Sequence, residues 1–442
     1  MANGNLSKVL WRLSLPIIFV EASETFDHLI DTVFLARVGV TELGAIAVTD
    51  SVLLFFLVLP LGLVDGIQIL TARRAGQRRP EAVGAIFSQG LILVLLICLA
   101  LTVLLKLLSP VMTYWFVTSD EVGVLLDDYL QIEAYGLVFI GATFAYSALL
   151  VSIGRSRALV PATLLLVGTD VLLNYLFIFG NFGLPALGMR GAAVGSVGAE
   201  IVTFLFLTAY LWRLDTGRYR FFRWPKFERR TVQRLSLLAS PIALQGGVET
   251  LRWFLFFLIL ESMSTEALAI GNVVFTCYIV FLIPTEGLCE ATCSLVSRYI
   301  GRDWSQKIDG ILRHAISGAL LVTGPFVAVA LLAPQWLVSV FFPEAGGLEQ
   351  SSISLQVVAL AMLIAIPAEI WFTAVIGTGD TAAAFVIEVF ISFAMLGFAY
   401  IAAVYLAWPV ATVWLALPLA CLVNLVFSYG WMKSGIWKRI EA

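Results

Sequence analysis

Five ionisable side chains lie within one apolar segment near the start of the chain, and their types suit the binding of a cation or a proton. The segment runs from Leu13 to Ala36 and is long enough for a tilted transmembrane helix. Spacings of three and four residues place the five along one side of such a helix: Glu21, Glu24, Asp27, His28 and Asp31. An ionised carboxylate at mid-membrane costs about 2.5 kcal/mol or more, so the stripe indicates a polar site inside a membrane bundle. Two other interpretations stay open, namely headgroup contacts near a helix end and pairing with arginines of neighbouring helices.

The composition is that of a polytopic membrane protein. Of 442 residues, 60% are hydrophobic and 13% are charged, whereas soluble domains have about 45–50% apolar and about 25% charged residues. The first apolar segment is long and acidic and lacks a small-residue cleavage site, so we expect no cleavable signal peptide. The five cysteines lie in apolar stretches and only two histidines occur, so we expect neither disulfides nor a metal centre. Because no P-loop sequence or catalytic triad is apparent, we expect no enzyme activity, cofactor or nucleic-acid partner.

Apolar runs of about 20 residues or more predict twelve membrane spans. They lie near 10–36, 43–72, 83–108, 122–150, 158–181, 191–212, 234–260, 266–299, 309–333, 352–377, 382–406 and 410–436. Lys and Arg concentrate in alternate connections, with Arg37 and Arg190 as exceptions, which predicts that both termini are cytoplasmic. A basic connector, 213–233, separates an amino-terminal lobe (1–212) from a carboxy-terminal lobe (234–442) and could contact anionic lipid.

The two halves of the chain resemble each other in order. The offset that relates Pro16 to Pro241 also relates Glu24 to Glu249. Because six spans is an even number, the halves run in the same direction, as in parallel repeats of secondary transporters. A substrate site between the halves and rocking alternating access are therefore predicted.

Several motifs together identify a family resemblance. They are SLPI at 14–17, IDT at 30–32, LNYLFIFG at 173–180, PALGMRGAA at 185–193 and GTGDT at 377–381. With them the chain resembles the multidrug and toxic compound extrusion (MATE) transporters over nearly its whole length. The resemblance implies an all-α, V-shaped bundle of two pseudo-symmetric six-helix lobes that exports organic cations or drugs against H⁺ or Na⁺.

The resemblance also implies residues for cation coupling. Asp31, fifteen residues after Pro16, falls on the acidic position of the family's first helix, and Glu249, eight residues after Pro241, falls on that of the seventh. Glu24 is the pseudo-symmetric mate of Glu249 and joins them as a coupling candidate.

The fifth and tenth helices depart from the family pattern. Asp170 and Asn174 occupy a pair that in the DNA-damage-inducible branch reads Asn and then Asp, so the acid and the amide are exchanged. One carboxylate stays on the same helical face. The tenth-helix acid of the norfloxacin-exporter branch would fall near Ala365, and Glu369 lies one turn later. We therefore expect an incomplete cation site in the carboxyl half.

Coupling requires that a proton and a cation exclude each other at the same carboxylates, a linkage that is reciprocal. Asp31, Asp170 and Asn174 could supply three oxygen ligands to Na⁺, but we favour H⁺ because the acids of the amino half are more numerous. A flat cation could also stack on aromatic rings. The residues predicted for the substrate cavity are Glu21, Asp27, His28, Tyr175, Trp253 and Tyr278.

The sequence therefore predicts a monomeric secondary antiporter of the bacterial inner membrane that exports small organic cations. One alternative is a flippase or exporter of a lipid-linked or endogenous metabolite; a lipid-linked precursor would need a cationic cavity to hold its pyrophosphate. Another is a channel or a receptor subunit, against which the repeat with its equivalent acids argues.

Overall fold

The structure, a computed structural model, describes residues 4–116, 119–215, 217–221, 228–341 and 348–439. Within these ranges the chain is helical and contains no strand. The first half contains α1 (Gly4–Val38), α2 (Val40–Gly76), α3 (Pro80–Phe116), α4 (Asp120–Glu133), α5 (Gly136–Ser152), α6 (Leu159–Phe179) and α7 (Met189–Leu214). The second half contains α8 (Arg229–Met263), α9 (Thr265–Ile300), α10 (Ile308–Leu332), α11 (Pro334–Phe341), α12 (Leu348–Gly377), α13 (Thr381–Tyr400), α14 (Val410–Val413) and α15 (Ala416–Ser434).

The predicted spans correspond to long helices. Ten helical segments of the described ranges are long and apolar enough to cross a membrane, and α4 with α5 forms an eleventh candidate that bends by 51°. The remaining predicted span is α1, which has the length but not the apolarity because of its acidic stripe. A helix satisfies its own backbone hydrogen bonds, which is what a chain in lipid requires. The predicted class, an all-α polytopic membrane protein, is confirmed.

Local sequence signals set several helix ends. Ser264 begins α9 by accepting a hydrogen bond from the Ala267 N–H at 3.0 Å, and Asp380 begins α13 by accepting one from the Ala383 N–H at 3.2 Å. Helix α6 ends at Gly180, whose φ of 70° costs a glycine little.

The chain packs as two compact units. The carboxyl unit comprises α1 up to Ile18 together with the chain from Leu244 onward, and the amino unit comprises Phe19–Ala243. Helices α1 and α8 are therefore each divided between the units. The units differ by these two half-helices from the lobes predicted at 1–212 and 234–442, and the grouping of six plus six spans stays a prediction.

A matching close approach between two helix backbones occurs in each unit. In the amino unit, a Cβ added to Gly62 of α2 would lie 2.8 Å from the Ala243 N of α8. In the carboxyl unit, a Cβ added to Gly287 of α9 would lie 2.8 Å from the Ile18 N of α1. The offset between Pro16 and Pro241 also separates the two glycines from each other, and likewise their two partners. The sequence repeat is therefore also a repeat of packing.

Candidate functional site

Three polar side chains meet between α1 and α6 of the amino unit. Asn174 Nδ2 donates hydrogen bonds to Asp31 Oδ1 at 2.7 Å and to Asp170 Oδ2 at 2.7 Å. Asn174 and Asp170 are buried, and Ser196 of α7 also hydrogen-bonds Asp170. In this Asp31–Asn174–Asp170 cluster, one amide joins carboxylates from two helices.

Glycines of α7 allow it to lie close to the segment that carries Asn174. A Cβ added to Gly195 would overlap the Asn174 side chain, one on Gly191 would lie 2.7 Å from the Ile178 N, and one on Gly198 would lie 2.7 Å from Leu173 Cδ1. Small residues one turn apart permit such close packing of membrane helices. The α6–α7 contact therefore fixes the position of the amide.

A cavity of ≈ 280 Å³ lies in the amino unit and reaches the cluster at Asp31. Its lining includes four members of the predicted stripe, namely Glu24, Asp27, His28 and Asp31, and none of the described lining residues is Lys or Arg. His28 Nε2 lies 3.4 Å from Asp50 Oδ2. With several carboxylates and no fixed positive charge in its lining, the amino-unit cavity suits a cation.

A second cavity, of ≈ 380 Å³, lies in the carboxyl unit. It is lined by Glu249, Glu286 and Glu369, and also by an aromatic group. In that group the Trp253 ring lies 4.6 Å from Phe275 and 5.6 Å from Tyr278, measured between centroids. Carboxylates beside aromatic faces are the chemistry that holds a flat organic cation.

Most of the chain matches a known protein family. The family model MatE matches residues 16–176 and 241–401, which is well over half of the chain. The chain belongs to the MatE family. The two matched segments are of equal length, and the second begins at Pro241 just as the first begins at Pro16, so the MatE model recovers the internal repeat.

Relatives and solved structures agree with the MatE assignment. The chain is 26% identical over 335 residues to the "Probable multidrug resistance protein NorM" of Synechocystis sp., covering 75% of this chain and 72% of the relative. It is 23% identical over 441 residues to the protein of the same name from Thermotoga maritima, covering 98% and 94%. The solved structure described as MATE in complex with MaL6 superimposes with a TM-score of 0.91 at 20% identity, covering 97% of this chain and 96% of that one.

Sequence reasoning missed two charged groups of the MatE carboxyl unit. Arg252 Nη2 lies 3.4 Å from Glu249 Oε1 and 3.4 Å from Glu388 Oε1. Arg252 is 8% exposed and Glu388 is 3% exposed. Both residues fall inside predicted spans. An ionisable residue within a span indicates function, so this signal alone is sufficient to identify both as candidates.

Two further carboxylates of the amino unit were also missed. Glu200 of α7 lines the amino-unit cavity, and Glu133, at the bend between α4 and α5, is 4% exposed. Each of the two has one carboxylate oxygen that is buried without a hydrogen-bond partner among the described residues. The acids available to bind cations or protons in this unit are therefore more numerous than the stripe on α1.

The residues predicted for the substrate cavity lie in different places. Asp27 and His28 line the amino-unit cavity, and Trp253 and Tyr278 line the carboxyl-unit cavity. Glu21 and Tyr175 line neither of these two cavities. Their shared role in substrate binding stays a prediction.

The predicted coupling residues fall into two groups. Asp31, Asp170 and Asn174 form the hydrogen-bonded cluster, and Glu24 lines the adjoining cavity. Glu249 lies in the carboxyl unit, where it accepts a hydrogen bond from Gln245 Nε2 at 3.2 Å.

Helix α12 corresponds to the tenth predicted span, in which the acid departs from the family pattern by one turn. Glu369 of α12 lines the cavity and accepts a hydrogen bond from Asn424 Nδ2 of α15 at 3.1 Å. The carboxylate one turn after Ala365 thus reaches the same cavity as Glu249.

Proposed function

We propose that this MatE protein is a secondary active antiporter that exports organic cations in exchange for H⁺, with the Asp31–Asn174–Asp170 cluster as its coupling site. The observation that supports this most is the sharing of one amide by two carboxylates from different helices. An amide N–H₂ can satisfy both acids in their ionised form, and a proton or a cation bound there changes the charge that the other ligand meets.

In the proposed coupling, a proton and a cation compete for the same negative charge. A proton on Asp31 or Asp170 weakens the hold of the cluster on a cation, and a bound cation opposes protonation to the same extent. Na⁺ is the alternative coupling ion because the two carboxylates and the Asn174 carbonyl can all supply oxygen ligands. The Asn174 Oδ1 atom is buried without a hydrogen-bond partner among the described residues, which leaves it available as a ligand.

The charge and the aromatic rings of the two cavities support a cationic substrate. Both cavities are lined by carboxylates, and the carboxyl-unit cavity adds Trp253, Phe275 and Tyr278. Such a lining favours organic cations over the anionic headgroup of a lipid-linked precursor. The relatives named as multidrug resistance proteins support the export of drugs.

The proposed setting is the bacterial inner membrane, with both termini in the cytoplasm and the protein acting as a monomer. The concentration of Lys and Arg in alternate connections supports this orientation. A membrane potential contributes about 2.3 kcal/mol per net charge moved per 100 mV, which is enough to drive export.

Uptake of ethidium into inverted vesicles tests the proposal under an imposed pH gradient and, separately, under a Na⁺ gradient. We expect the wild-type protein to accumulate ethidium under the pH gradient and Asp31→Asn to lose this at least tenfold. Asp309→Asn is the matched control, because Asp309 forms an exposed pair with Lys433 at 2.7 Å and lines neither cavity.

Each result has a defined meaning. Accumulation of ethidium under the Na⁺ gradient alone would identify Na⁺, and not H⁺, as the coupling ion. A wild-type protein that moves no organic cation under either gradient would contradict the proposal and make translocation of a lipid-linked precursor the next assay.

A further inference from the structure

A permanent positive charge lies among the carboxylates of the carboxyl-unit cavity. Arg252 lines that cavity and is 8% exposed, and its guanidinium contacts Glu249 and Glu388 at 3.4 Å each. A guanidinium stays protonated in proteins. The carboxyl unit therefore holds a cation that is part of its own chain.

The contacts of Arg252 indicate that its positive charge, more than the planar arrangement of its N–H donors, determines how it pairs with the carboxylates. Both ion pairs use the same nitrogen, Nη2, and Nε is buried without an acceptor among the described residues. A guanidinium selected for shape would instead pair through two nitrogens with one carboxylate. Glu249 and Glu388 approach the same nitrogen as two carboxylates would approach a bound ion, with Arg252 in the ion's place.

The internal repeat shows what occupies the same position in the other half. Arg252 lies eleven residues after Pro241, and Asp27 lies eleven residues after Pro16. Asp27 lines the amino-unit cavity, where no described lining residue is Lys or Arg. One position of the repeat thus carries opposite charge in the two halves.

We propose that Arg252 is a resident cation that occupies the metal-ion position of the carboxyl unit and excludes Na⁺ from it. A tethered group competes at an effective concentration that a free cation must exceed before it binds. An added cation would also bring two positive charges together inside a site of low dielectric. The exchangeable coupling ion is accordingly confined to the amino unit, a conclusion that rests on the function proposed above.

Binding of ²²Na⁺ to the purified full-length protein in detergent measures this directly. We expect Arg252→Gln to bind one more Na⁺ per molecule than the wild-type protein, and Glu249→Gln in addition to remove that extra ion. Arg252→Lys keeps the charge and should keep the wild-type stoichiometry. Lys433→Gln, which removes an exposed cation outside the cavity, is the control and should also match the wild type.

Thermal unfolding keeps the test decisive if Arg252→Gln is unstable. Because a ligand stabilises the state that binds it, NaCl should raise the Tm of Arg252→Gln more than that of the wild type, with choline chloride as the ionic-strength control. Equal Na⁺ binding by the wild type and Arg252→Gln would overturn the proposal. So would an Arg252→Gln protein that stays unfolded at high NaCl while Arg252→Lys folds.

The binding assay separates this inference from the proposed function. Neither the count of bound Na⁺ nor the Tm shift depends on transport. A wild-type protein that fails to export organic cations would contradict the proposed function while leaving the effect of Arg252→Gln on Na⁺ binding measurable.

Discussion

At the scale of single residues, the Asn174 amide joins the two carboxylates of the proposed coupling site. It donates to two carboxylates that come from different helices, and its side chain is buried. A buried acceptor that loses its donor costs about 1–3 kcal/mol in stability. The amide therefore stabilises the fold and positions both acids for binding.

Replacing Asn174 with leucine, which has the same branching and no donor, should lower stability and reduce ethidium uptake. We expect a loss of about 2–4 kcal/mol, because both carboxylates lose a hydrogen bond. Thermal unfolding in detergent and vesicle uptake measure the two effects. Asn272→Leu is the control, since Asn272 is exposed on α9 and lines neither cavity. A wild-type Tm for Asn174→Leu would contradict this role.

The candidate site could be predicted in part. Positions in motifs identify Asp31, Asp170 and Asn174, and the structure places all three in one cluster. Arg252 and Glu388 lie on α8 and α13, far apart in sequence, so no spacing rule relates them. Whether a charge within a span has a partner is decided by tertiary packing, which a single sequence does not display.

At the scale of helices, the α6–α7 contact determines where the coupling amide lies. Gly191, Gly195 and Gly198 line the side of α7 that faces α6. The sequence predicts both spans, but it does not show which face of one meets the other.

Gly195→Ala should displace Asn174 and reduce uptake several-fold, since the added Cβ would meet both the amide side chain and the Asn174 backbone nitrogen. In Gly168→Ala, the matched change on α6, the added Cβ would meet nothing within 4 Å. That control should keep wild-type uptake and gain about 0.5–1 kcal/mol in stability, because alanine is the better helix former. Equal uptake by the two variants would show that the close approach does not position the amide.

Hydropathy predicts the spans well but not their irregularities. The span predicted at 122–150 is two helices with a 51° bend, and Glu133 lies at the bend. Hydropathy averages over a window and does not register a break of two residues. Helix α1 is predicted as a span even though its composition is too acidic for a lipid-facing helix, because its spacing places the acids on one side.

At the scale of the whole molecule, the repeat of the sequence is also a repeat of packing. Gly62 faces Ala243 within the amino unit, and Gly287 faces Ile18 within the carboxyl unit. Each contact holds a half-helix from the opposite half of the sequence. The two glycines should therefore be equally sensitive to substitution.

Gly62→Ala and Gly287→Ala should each lower stability by about 1–3 kcal/mol, because an extra methyl group in a closely packed contact forces the backbones apart. Gly44→Ala and Gly324→Ala are the matched controls, since an added Cβ meets nothing within 4 Å at either position. Thermal unfolding of the four purified variants in detergent gives the comparison. A loss confined to one of the two contacts would show that the repeat does not extend to their energetics.

The division of α1 and α8 between the units also bears on how such a chain could have originated. If the two halves descend from one gene by duplication, the ancestor had six spans, and its first span began outside the unit formed by the rest. A single copy would have lacked the half-helix that completes its own unit. Its own leading half-helix would have packed in the unit of a second copy. On that premise, two ancestral copies would have paired by exchanging their leading segments, and gene fusion would have joined them in one chain.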